Sequence, residues 1–190
     1  FVRQLATQFN YPILVQSFET AKYAEAYKMG IQEAAREIRY TWFESIIKTL
    51  DQPAFLLTAH HADDQVETVL MQFFRGTGVH GLTGIAPYRK DSIPLARPLL
   101  AFTKAAIQAY ALEHGLNFVE DSSNTKDDYT RNYIRNQLMP QVTQLYANAS
   151  QNILSTVERL KEADEIISET VNIFWKKYLR KYKGIDCIDI

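Results

Sequence analysis

The stretch TAHHADDQVETVLMQFFRGTGVHGL, residues 58–82, joins a cluster of polar residues to an apolar helical pattern. It is preceded by AFLLTA (54–59), an apolar run with the length of a buried strand. We predict a helix over 64–74, and its apolar face consists of Val66, Val69, Leu70 and Phe73. We expect that face to pack on a sheet, because strands followed directly by such helices build parallel α/β folds. These folds bind ligands beyond the carboxyl ends of their strands.

Strands and helices also alternate in the rest of the first 140 residues. Residues 22–50 have a helical pattern with a break at Gly30, and 103–114 form another predicted helix that ends at Gly115. Further short strands are predicted at ILVQSF (13–18), RPLL (97–100) and NFVED (117–121). The alternation predicts an α/β fold with a parallel sheet over residues 1–140.

The chain becomes helical after this region. RNYIRNQLMP (131–140) is predicted to be a short helix that ends at Pro140, and residues 143–183 have an almost continuous helical pattern. We expect 141–190 to be a helical connector that leads into a second domain. Its end, FWKKYLRKYK (174–183), interleaves five basic with four aromatic residues, a pattern that can bind RNA. The alternative that we prefer is an amphipathic helix with three aromatic rings on one face: Phe174, Tyr178 and Tyr182.

The composition fits one well-buried domain with the start of another. The 190 residues are 46% apolar, and 21 basic against 22 acidic residues leave a net charge of −1. This balance gives no overall attraction to nucleic acid, so a polyanionic partner needs a local patch. The single cysteine, Cys187, excludes an internal disulfide framework, and no apolar run approaches the roughly 18 residues of a membrane span. We expect a cytoplasmic protein without a membrane segment.

The polar part of the opening stretch is the strongest candidate for a functional site. Asp63 or Asp64 can cap the predicted helix, and Glu67 stands three residues after Asp64, as in a capping box. Capping leaves the histidine pair unexplained. His60 and His61 are adjacent and point to opposite faces of a strand, which argues against zinc. Carboxylates at 63, 64 and 67 suit Mg²⁺ beside phosphates or an ammonium group, and we assign no residue as a resident metal ligand.

The sequence Arg75-Gly76-Thr77-Gly78 follows the predicted helix. Gly76 has the position of a helix C′ residue, and capping is one explanation of the glycines. A second explanation is anion binding, because glycines spaced by a threonine expose backbone N–H groups and Arg75 adds a planar donor for phosphate or carboxylate.

Four motifs occur in an order that resembles a known family. They are GIQEAAREIRYTWF (30–43), AHHADDQVETVLMQFFRGTG (59–78), RPLLAFTK (97–104) and FVEDSSNTKDDYTRNYIRNQLMP (118–140). Together they resemble the tRNA(Ile)-lysidine synthases, bacterial members of the PP-loop ATP pyrophosphatase superfamily. The resemblance implies a Rossmann-like α/β domain that uses ATP to adenylate the C2 oxygen of cytidine 34 in a tRNA(Ile) precursor and releases pyrophosphate. The side-chain amine of free L-lysine then displaces AMP.

The resemblance also implies partners and residue roles. The partners are ATP with Mg²⁺, L-lysine and tRNA(Ile) with a CAU anticodon, and a homodimer is compatible with the family. Asp64 and Glu67 would hold the lysine amines, and Arg36 would bind the lysine carboxylate or a nucleotide phosphate. The ATP side and the adenylated intermediate would be lined by His60, His61, Asp63, Arg75, Gly76 and Gly78. The tRNA backbone or the nucleotide would meet Arg131, Asn132 and Arg135.

The two arginines of this set have a structural alternative. Arg131 and Arg135 are four residues apart and share one helix face. Two donors on one face suit a phosphate backbone, whereas pairing with Asp127 or Asp128 would only fix the preceding loop.

The sequence departs from the family pattern in its phosphate-binding loop. That loop, Ser-Gly-Gly-x-Asp-Ser, is absent, because the seven glycines are at 30, 76, 78, 81, 84, 115 and 184 and none are adjacent. We therefore expect an internal fragment whose natural N-terminus lies upstream of Phe1 and whose C-terminal domains are largely missing. Competing functions are tRNA thiolation, which needs more cysteines than Cys187, a metal-dependent phosphohydrolase, and a non-catalytic RNA-binding module.

Residues 1–190 alone are expected not to turn over ATP. Pyrophosphate release needs the backbone cradle of the missing loop, because its N–H groups hold the phosphates. The measurement is lysine-dependent formation of AMP, with the full-length protein as the positive control. Lysine-dependent AMP formation by residues 1–190 would contradict this expectation.

Overall fold

The computed structural model describes residues 1–90, 93–119, 130–182 and 185–188. It divides into two compact units that alternate along the chain. Unit 1 comprises Phe1–Thr58, Tyr88–Ala96 and Asn117–Val119, and unit 2 comprises Ala59–Pro87, Arg97–Leu116 and Glu120–Ile190. The domain boundary placed at residue 140 from the sequence stays a prediction.

Unit 1 contains three helices and a three-stranded sheet within its described residues. The helices are α1 (Val2–Gln8), α2 (Thr20–Tyr27) and α3 (Ile31–Ile47), and the strands are β1 (Leu56–Leu57), β2 (Tyr88–Lys90) and β3 (Pro94–Ala96). The central strand, β3, is parallel to β1 and antiparallel to β2. Leu95 of β3 is opposite Leu56 of β1 and is fully buried, as is Ala34 of α3. These two side chains belong to the core of unit 1.

The helical stretch predicted over 22–50 forms two helices, and the predicted break at Gly30 is confirmed. Lys28 ends α2 in the left-handed region with φ 52°, and Gly30 is the extended N-cap residue of α3. The two helices pack on each other as a hairpin, and the Tyr23 hydroxyl of α2 donates a hydrogen bond to Glu37 of α3 at 3.0 Å.

The sheet differs from the prediction. Among the described strands only β1 and β3 pair in parallel, so the small sheet is mixed rather than parallel. AFLLTA is a strand only at Leu56–Leu57, and the strand expected at 97–100 lies three residues earlier, because 98–101 form turns. ILVQSF (13–18) has no regular structure, since no described strand pairs with its backbone groups. Residues 117–119 are also irregular, and the rest of NFVED lies outside the described residues.

Unit 2 is mainly helical in the part of the chain that the structure describes. Its helices are α4 (Ala62–Phe74), α5 (Val79–Leu82), α6 (Lys104–Glu113), α7 (Thr130–Tyr133), α8 (Met139–Leu145) and α9 (Ala149–Tyr178). A π-helical turn (Ile134–Leu138) joins α7 to α8, and β4 (Leu179–Tyr182) pairs with β5 (Ile185–Ile188) after α9. Within this unit α4 packs on other helices, namely α5, α7 and α9. Val66 and Val69 are buried there, but Phe73 is exposed. The packing of α4 on a sheet, expected from the sequence, stays a prediction.

Two further predictions for the C-terminal region are wrong. Pro140 does not end a helix, because it lies at the start of α8, directly after the π-helical turn, where a missing N–H costs least. The helix predicted over 143–183 is interrupted at 146–148 and ends at Tyr178, where the chain enters β4. The rings of Phe174 and Tyr178 are neighbours as expected, with centroids 4.8 Å apart and planes tilted by 40°. Tyr182 belongs to a strand and does not continue the helix. In the described ranges no helix is long and apolar enough to cross a membrane.

Arg97 fixes the point at which the chain returns to unit 2 after β3. Its backbone N–H donates to the Pro87 carbonyl at 2.9 Å, and its guanidinium donates to the Ala86 carbonyl. The side chain is buried, and backbone carbonyls are suitable partners for its charge. Arg97 therefore ties together the two ends of the segment that carries β2 and β3.

Substitution of Leu95 by alanine is expected to lower the free energy of unfolding by about 2–5 kcal/mol, because it leaves a cavity in the core of unit 1. Leu57→Ala in β1 is the matched control, since that leucine is 64% exposed. The control should cost less than about 1 kcal/mol, since little buried area is lost. Chemical denaturation followed by circular dichroism measures both values, and equal losses would contradict the burial of Leu95.

Candidate active site

The N-terminus of α4 is formed by the segment His-His-Ala-Asp-Asp. His61 is its extended N-cap residue, and the helix begins at Ala62, two residues earlier than predicted. Asp64 accepts the backbone N–H of His61 through Oδ2 at 3.0 Å, so it caps α4, as predicted for one of the two aspartates. The predicted capping box of Asp64 with Glu67 is wrong, because Glu67 lies in the second turn of the helix.

Asp63 connects the start of α4 to the start of α6. Its Oδ2 accepts the backbone N–H of Lys104, the first residue of α6, at 2.7 Å. Nδ1 of His61 lies 3.4 Å from the same oxygen, and Nε2 of His61 lies 3.5 Å from Oδ2 of Asp64. The imidazole ring is thus bracketed by two carboxylates at the positive ends of two helix dipoles.

This arrangement shifts the pKa values of both partners. The interaction with His61 lowers the pKa of Asp63 to about 2, and the Lys104 amide adds to the effect against partial burial. The same interaction raises the pKa of His61 above 6.5, although burial opposes it. The geometry therefore favours the imidazolium form of His61 beside the ionised carboxylate of Asp63.

A second group of charges lies one turn further along α4. Nε and Nη2 of Arg135 donate to the two carboxylate oxygens of Glu67 at 2.6 and 2.9 Å, and Nη2 also contacts Asp64 at 3.4 Å. Arg131 donates to the Thr68 hydroxyl at 3.0 Å, and its Nε lies 3.7 Å from Glu67. We call Asp64, Glu67, Arg131 and Arg135 the acid–arginine cluster.

Burial differs between the members of the acid–arginine cluster and shifts their pKa values. The Glu67 side chain is 3% exposed, against 26% for that of Arg135. Burial raises the pKa of Glu67, whereas the hydrogen bonds and charge of Arg135 oppose that rise. Burial also acts to lower the pKa of Arg135, but Glu67 and Asp64 outweigh it and the pKa is raised. Since arginine stays protonated, the two-pronged pair favours the ionised form of Glu67 and opposes the effect of burial.

Local packing explains why these side chains meet. Arg131 and Arg135 flank the buried Ile134 and face α4 from α7 and the π-helical turn, which confirms that the two arginines share one face. On α4, the buried Gln65 next to this face donates to the Thr83 carbonyl at 3.2 Å and accepts the N–H of Ile85 at 2.6 Å. These bonds fix the rotation of α4, and with it the direction of Glu67.

A cavity of about 650 Å³ opens beside the cluster within unit 2. Its charged lining residues are His61, Asp63, Glu67, Lys104 and Arg135. Its other lining residues are Val66, Asn136, Met139, Pro140, Thr143, Gln144 and Ser150. A cavity of this size with charges of both signs can hold a small zwitterion or part of a nucleotide.

The remaining candidates lie elsewhere. Arg36 belongs to α3 of unit 1, where its guanidinium stands 4.8 Å above the Tyr40 ring and lines a cavity of about 380 Å³. His60 and Asn132 belong to unit 2, are half-buried and interact with neighbouring groups. The aspartates at 127 and 128, considered as partners for the arginines, are outside the described residues.

The glycines after α4 have a structural role that the structure shows directly. Gly76 has a φ of 74°, which confirms the predicted C′ position after Arg75. Its N–H donates to Phe73 and that of Thr77 donates to Gln72, so both amides serve the helix end. Gly78 is the N-cap residue of α5.

Sequence analysis did not identify Thr68, Gln65 or Lys104 as parts of the site. Gln65 could have been recognised from its position on the apolar face of a helix, because a buried amide must find hydrogen-bond partners. Lys104 contributes a backbone N–H, for which a side-chain pattern gives no signal. Within the described ranges, no three residues among His, Cys, Asp and Glu are arranged to hold a metal ion.

Comparison with known families gives the class of this protein. Residues 1–142 match the family described as the PP-loop domain. The chain belongs to the PP-loop domain family, which implies a Rossmann-like α/β fold and the use of ATP.

The chain is also similar to curated proteins that are named tRNA(Ile)-lysidine synthase. The chain is 37% identical to the protein of Bacteroides thetaiotaomicron over 172 residues, which cover 90% of this chain and 39% of the relative. It is 34% identical to that of Thermosipho africanus, with 91% of this chain and 40% of the relative covered. Identity to that of Chlorobaculum tepidum is 32%, with 98% and 54% covered. The chain thus spans 39–54% of the length of these relatives.

The pair of Asp63 and His61 generates a prediction about pH. Asp63→Asn keeps an acceptor for the Lys104 amide but removes the charge, so the pKa of His61 should fall towards 6.5. An NMR titration of the imidazole measures that pKa, and Asp51→Asn, at an exposed aspartate, is the control. An unchanged pKa of His61 in Asp63→Asn would show that the two side chains do not interact in solution.

The same substitution should change the dependence of stability on pH. The contribution of His61, whose pKa is raised by folding, is present below pH 6.5 and is lost as the pH rises through the folded-state pKa. The contribution of Asp63 is present above pH 3.8 and is lost as the pH falls through about 2. Asp63→Asn should flatten the stability profile in both windows.

Proposed function

We propose that this chain is part of an enzyme that ligates L-lysine to C2 of cytidine 34 in tRNA(Ile) with a CAU anticodon. The names of the curated relatives and the PP-loop family support this proposal. The observation that carries it is the pairing of Glu67 and Asp64 with a guanidinium beside a cavity. Two carboxylates that already bind a planar cation have the chemistry that an amine substrate requires.

The reaction has two steps in this proposal. The C2 oxygen of the cytidine attacks the α-phosphorus of ATP, and pyrophosphate leaves. The side-chain nitrogen of lysine then attacks C2, a C–N bond forms, the C2–O bond breaks, and AMP leaves with the oxygen. The attacking nitrogen loses a proton, so the residues around it must first bind an ammonium and then accept a proton.

Asp64 and Glu67 are the residues that we assign to the lysine amine. Asp64 has a side chain that is 14% exposed and is fixed by the backbone N–H of His61. Glu67 has a pKa that burial raises, and a carboxylate with a raised pKa is better able to accept a proton from an amine. Arg36 of unit 1 is our candidate for the lysine carboxylate or a nucleotide phosphate.

The ATP side is assigned to His60, His61 and Asp63. His61 and Lys104 bring positive charge to the cavity at the N-termini of α4 and α6, where phosphate oxygens are stabilised. ATP would arrive as its Mg²⁺ complex, with the metal held by the phosphates. Arg75, Gly76 and Gly78 are proposed for the adenylated intermediate, with Arg75 as the donor because the Gly76 amide is used by the helix end.

The tRNA is assigned to Arg131, Asn132 and Arg135. Arg131 has a side chain that is 41% exposed, which leaves room for a phosphate contact next to its bond to Thr68. An enzyme of this kind would act in the cytoplasm, where tRNA and free lysine occur together. For thiolation, the chain offers only Cys187, an exposed residue of β5.

Asp64→Asn in the full-length protein should raise the KM for lysine by about 10- to 100-fold, because a charge-assisted hydrogen bond to the amine is lost. The KM for ATP should change little. Lysidine formation on a tRNA(Ile) transcript measures both values, and Asp51→Asn is the matched control at an exposed aspartate. Equal increases for ATP and lysine would favour Mg²⁺ binding by Asp64, and a lower Tm with unchanged kinetics would leave only the capping role.

A further inference from the structure

Arg135 occupies both carboxylates that the proposed function assigns to lysine. Its Nε and Nη2 contact the two oxygens of Glu67 at 2.6 and 2.9 Å, and Nη2 contacts Asp64 at 3.4 Å. The Glu67 side chain is 3% exposed, so solvent screens these contacts poorly. A substrate ammonium on Glu67 would lie next to the guanidinium, and two like charges at that separation repel strongly in a buried site.

The carboxylates near the start of α4 already have cationic partners without a substrate, and a further cation, Lys104, lines the cavity beside them. The carboxylates of Asp63, Asp64 and Glu67 face three cationic groups: the His61 imidazolium, Arg131 and Arg135. A bound ammonium adds a fourth cation to this set. It can bind tightly only when one of the three leaves its partner. Arg135 is the cation in direct contact with both carboxylates proposed for the amine.

We propose that Arg135 is an internal competitor of lysine, which keeps the amine site occupied until a phosphate-bearing substrate draws its guanidinium away from Glu67. This inference rests on the proposed function, because it takes Asp64 and Glu67 as the amine site. It makes lysine binding conditional on the nucleotide, so that the amine is bound where an adenylate can react with it.

The cavity beside Glu67 offers a place to which the guanidinium of Arg135 can move. Arg135 and Lys104 line the same cavity of about 650 Å³, and Lys104 is the first residue of α6. A phosphate in that cavity would meet two cationic side chains and a helix N-terminus. Arg135 belongs to the π-helical turn between α7 and α8, a type of turn that is found frequently at functional sites.

Competition of this kind couples the two ligands. A site that is open for only a fraction of the time binds its ligand with an affinity reduced by that fraction. ATP, by removing Arg135 from Glu67, would raise the affinity for lysine, and lysine would raise the affinity for ATP by the same factor. The coupling should disappear when Arg135 carries no charge.

The test is the Kd of L-lysine for the full-length protein, measured by isothermal titration calorimetry with and without ATP and in the absence of tRNA. In the wild type, ATP should tighten lysine binding by about tenfold. In Arg135→Gln, lysine alone should bind about tenfold more tightly than to the wild type, because the competitor is gone, and ATP should add little. The matched control is Arg159→Gln, at an exposed arginine of α9, which should behave as the wild type.

Two further measurements distinguish competition by Arg135 from a merely structural role of this residue. Arg135→Lys retains a cation and should restore weak, ATP-dependent lysine binding, which a merely structural role would not predict. Arg135→Gln should have a lower Tm that lysine raises by more than it raises the wild-type Tm, because lysine replaces the missing cation. Weaker lysine binding to Arg135→Gln than to the wild type would overturn the competition. Absence of lysine binding to the wild type with ATP and to Arg135→Gln would instead overturn the proposed function.

Discussion

The ion pair between Glu67 and Arg135 is the interaction on which the candidate site depends. A carboxylate that is 3% exposed in the second turn of a helix is costly unless a charged, hydrogen-bonded partner is present. That partner comes from a segment 68 residues away in the chain. The pair therefore joins α4 to the π-helical turn within unit 2, next to the carboxylates of Asp64 and Glu67. Removing Arg135 would leave the buried carboxylate of Glu67 without its charged partner, so this ion pair contributes to the stability of the region as well as to its charge pattern.

Sequence patterns predicted the parts of this region that depend on neighbours in the chain. The helix of α4, the break at Gly30 and the C′ role of Gly76 follow from local backbone preferences and were confirmed. The strand at 13–18 was wrong, because a β-rich run becomes a strand only where another strand pairs with its backbone. The β4–β5 hairpin was missed because the sequence of β4, Leu179–Tyr182, continues the pattern of basic and aromatic residues that begins in α9.

The candidate site was predicted from the sequence only in part. As for the strands, the missing part depends on contacts between residues that are distant in the chain. The residue types and their order identified Asp63, Asp64, Glu67, Arg131 and Arg135 as functional candidates. The pattern did not show that the acids and the arginines contact each other, because Glu67 and Arg135 are brought together only by packing of α4 on α7 and the π-helical turn. The family relationship adds the use of ATP, and the geometry adds the pairing of charges.

The alternation of the two units along the chain bears on how the protein folds during synthesis. Unit 1 is complete only after residue 119 has been made, since it contains Tyr88–Ala96 and Asn117–Val119. Its central strand, β3, cannot pair with β1 before Ala96 leaves the ribosome, and Ala96 comes 49 residues after the end of α3 at Ile47. Long-range pairing of this kind is slow and exposes apolar surface in the meantime. Each unit consists of several separate stretches of the chain, so neither unit can be obtained by simple truncation.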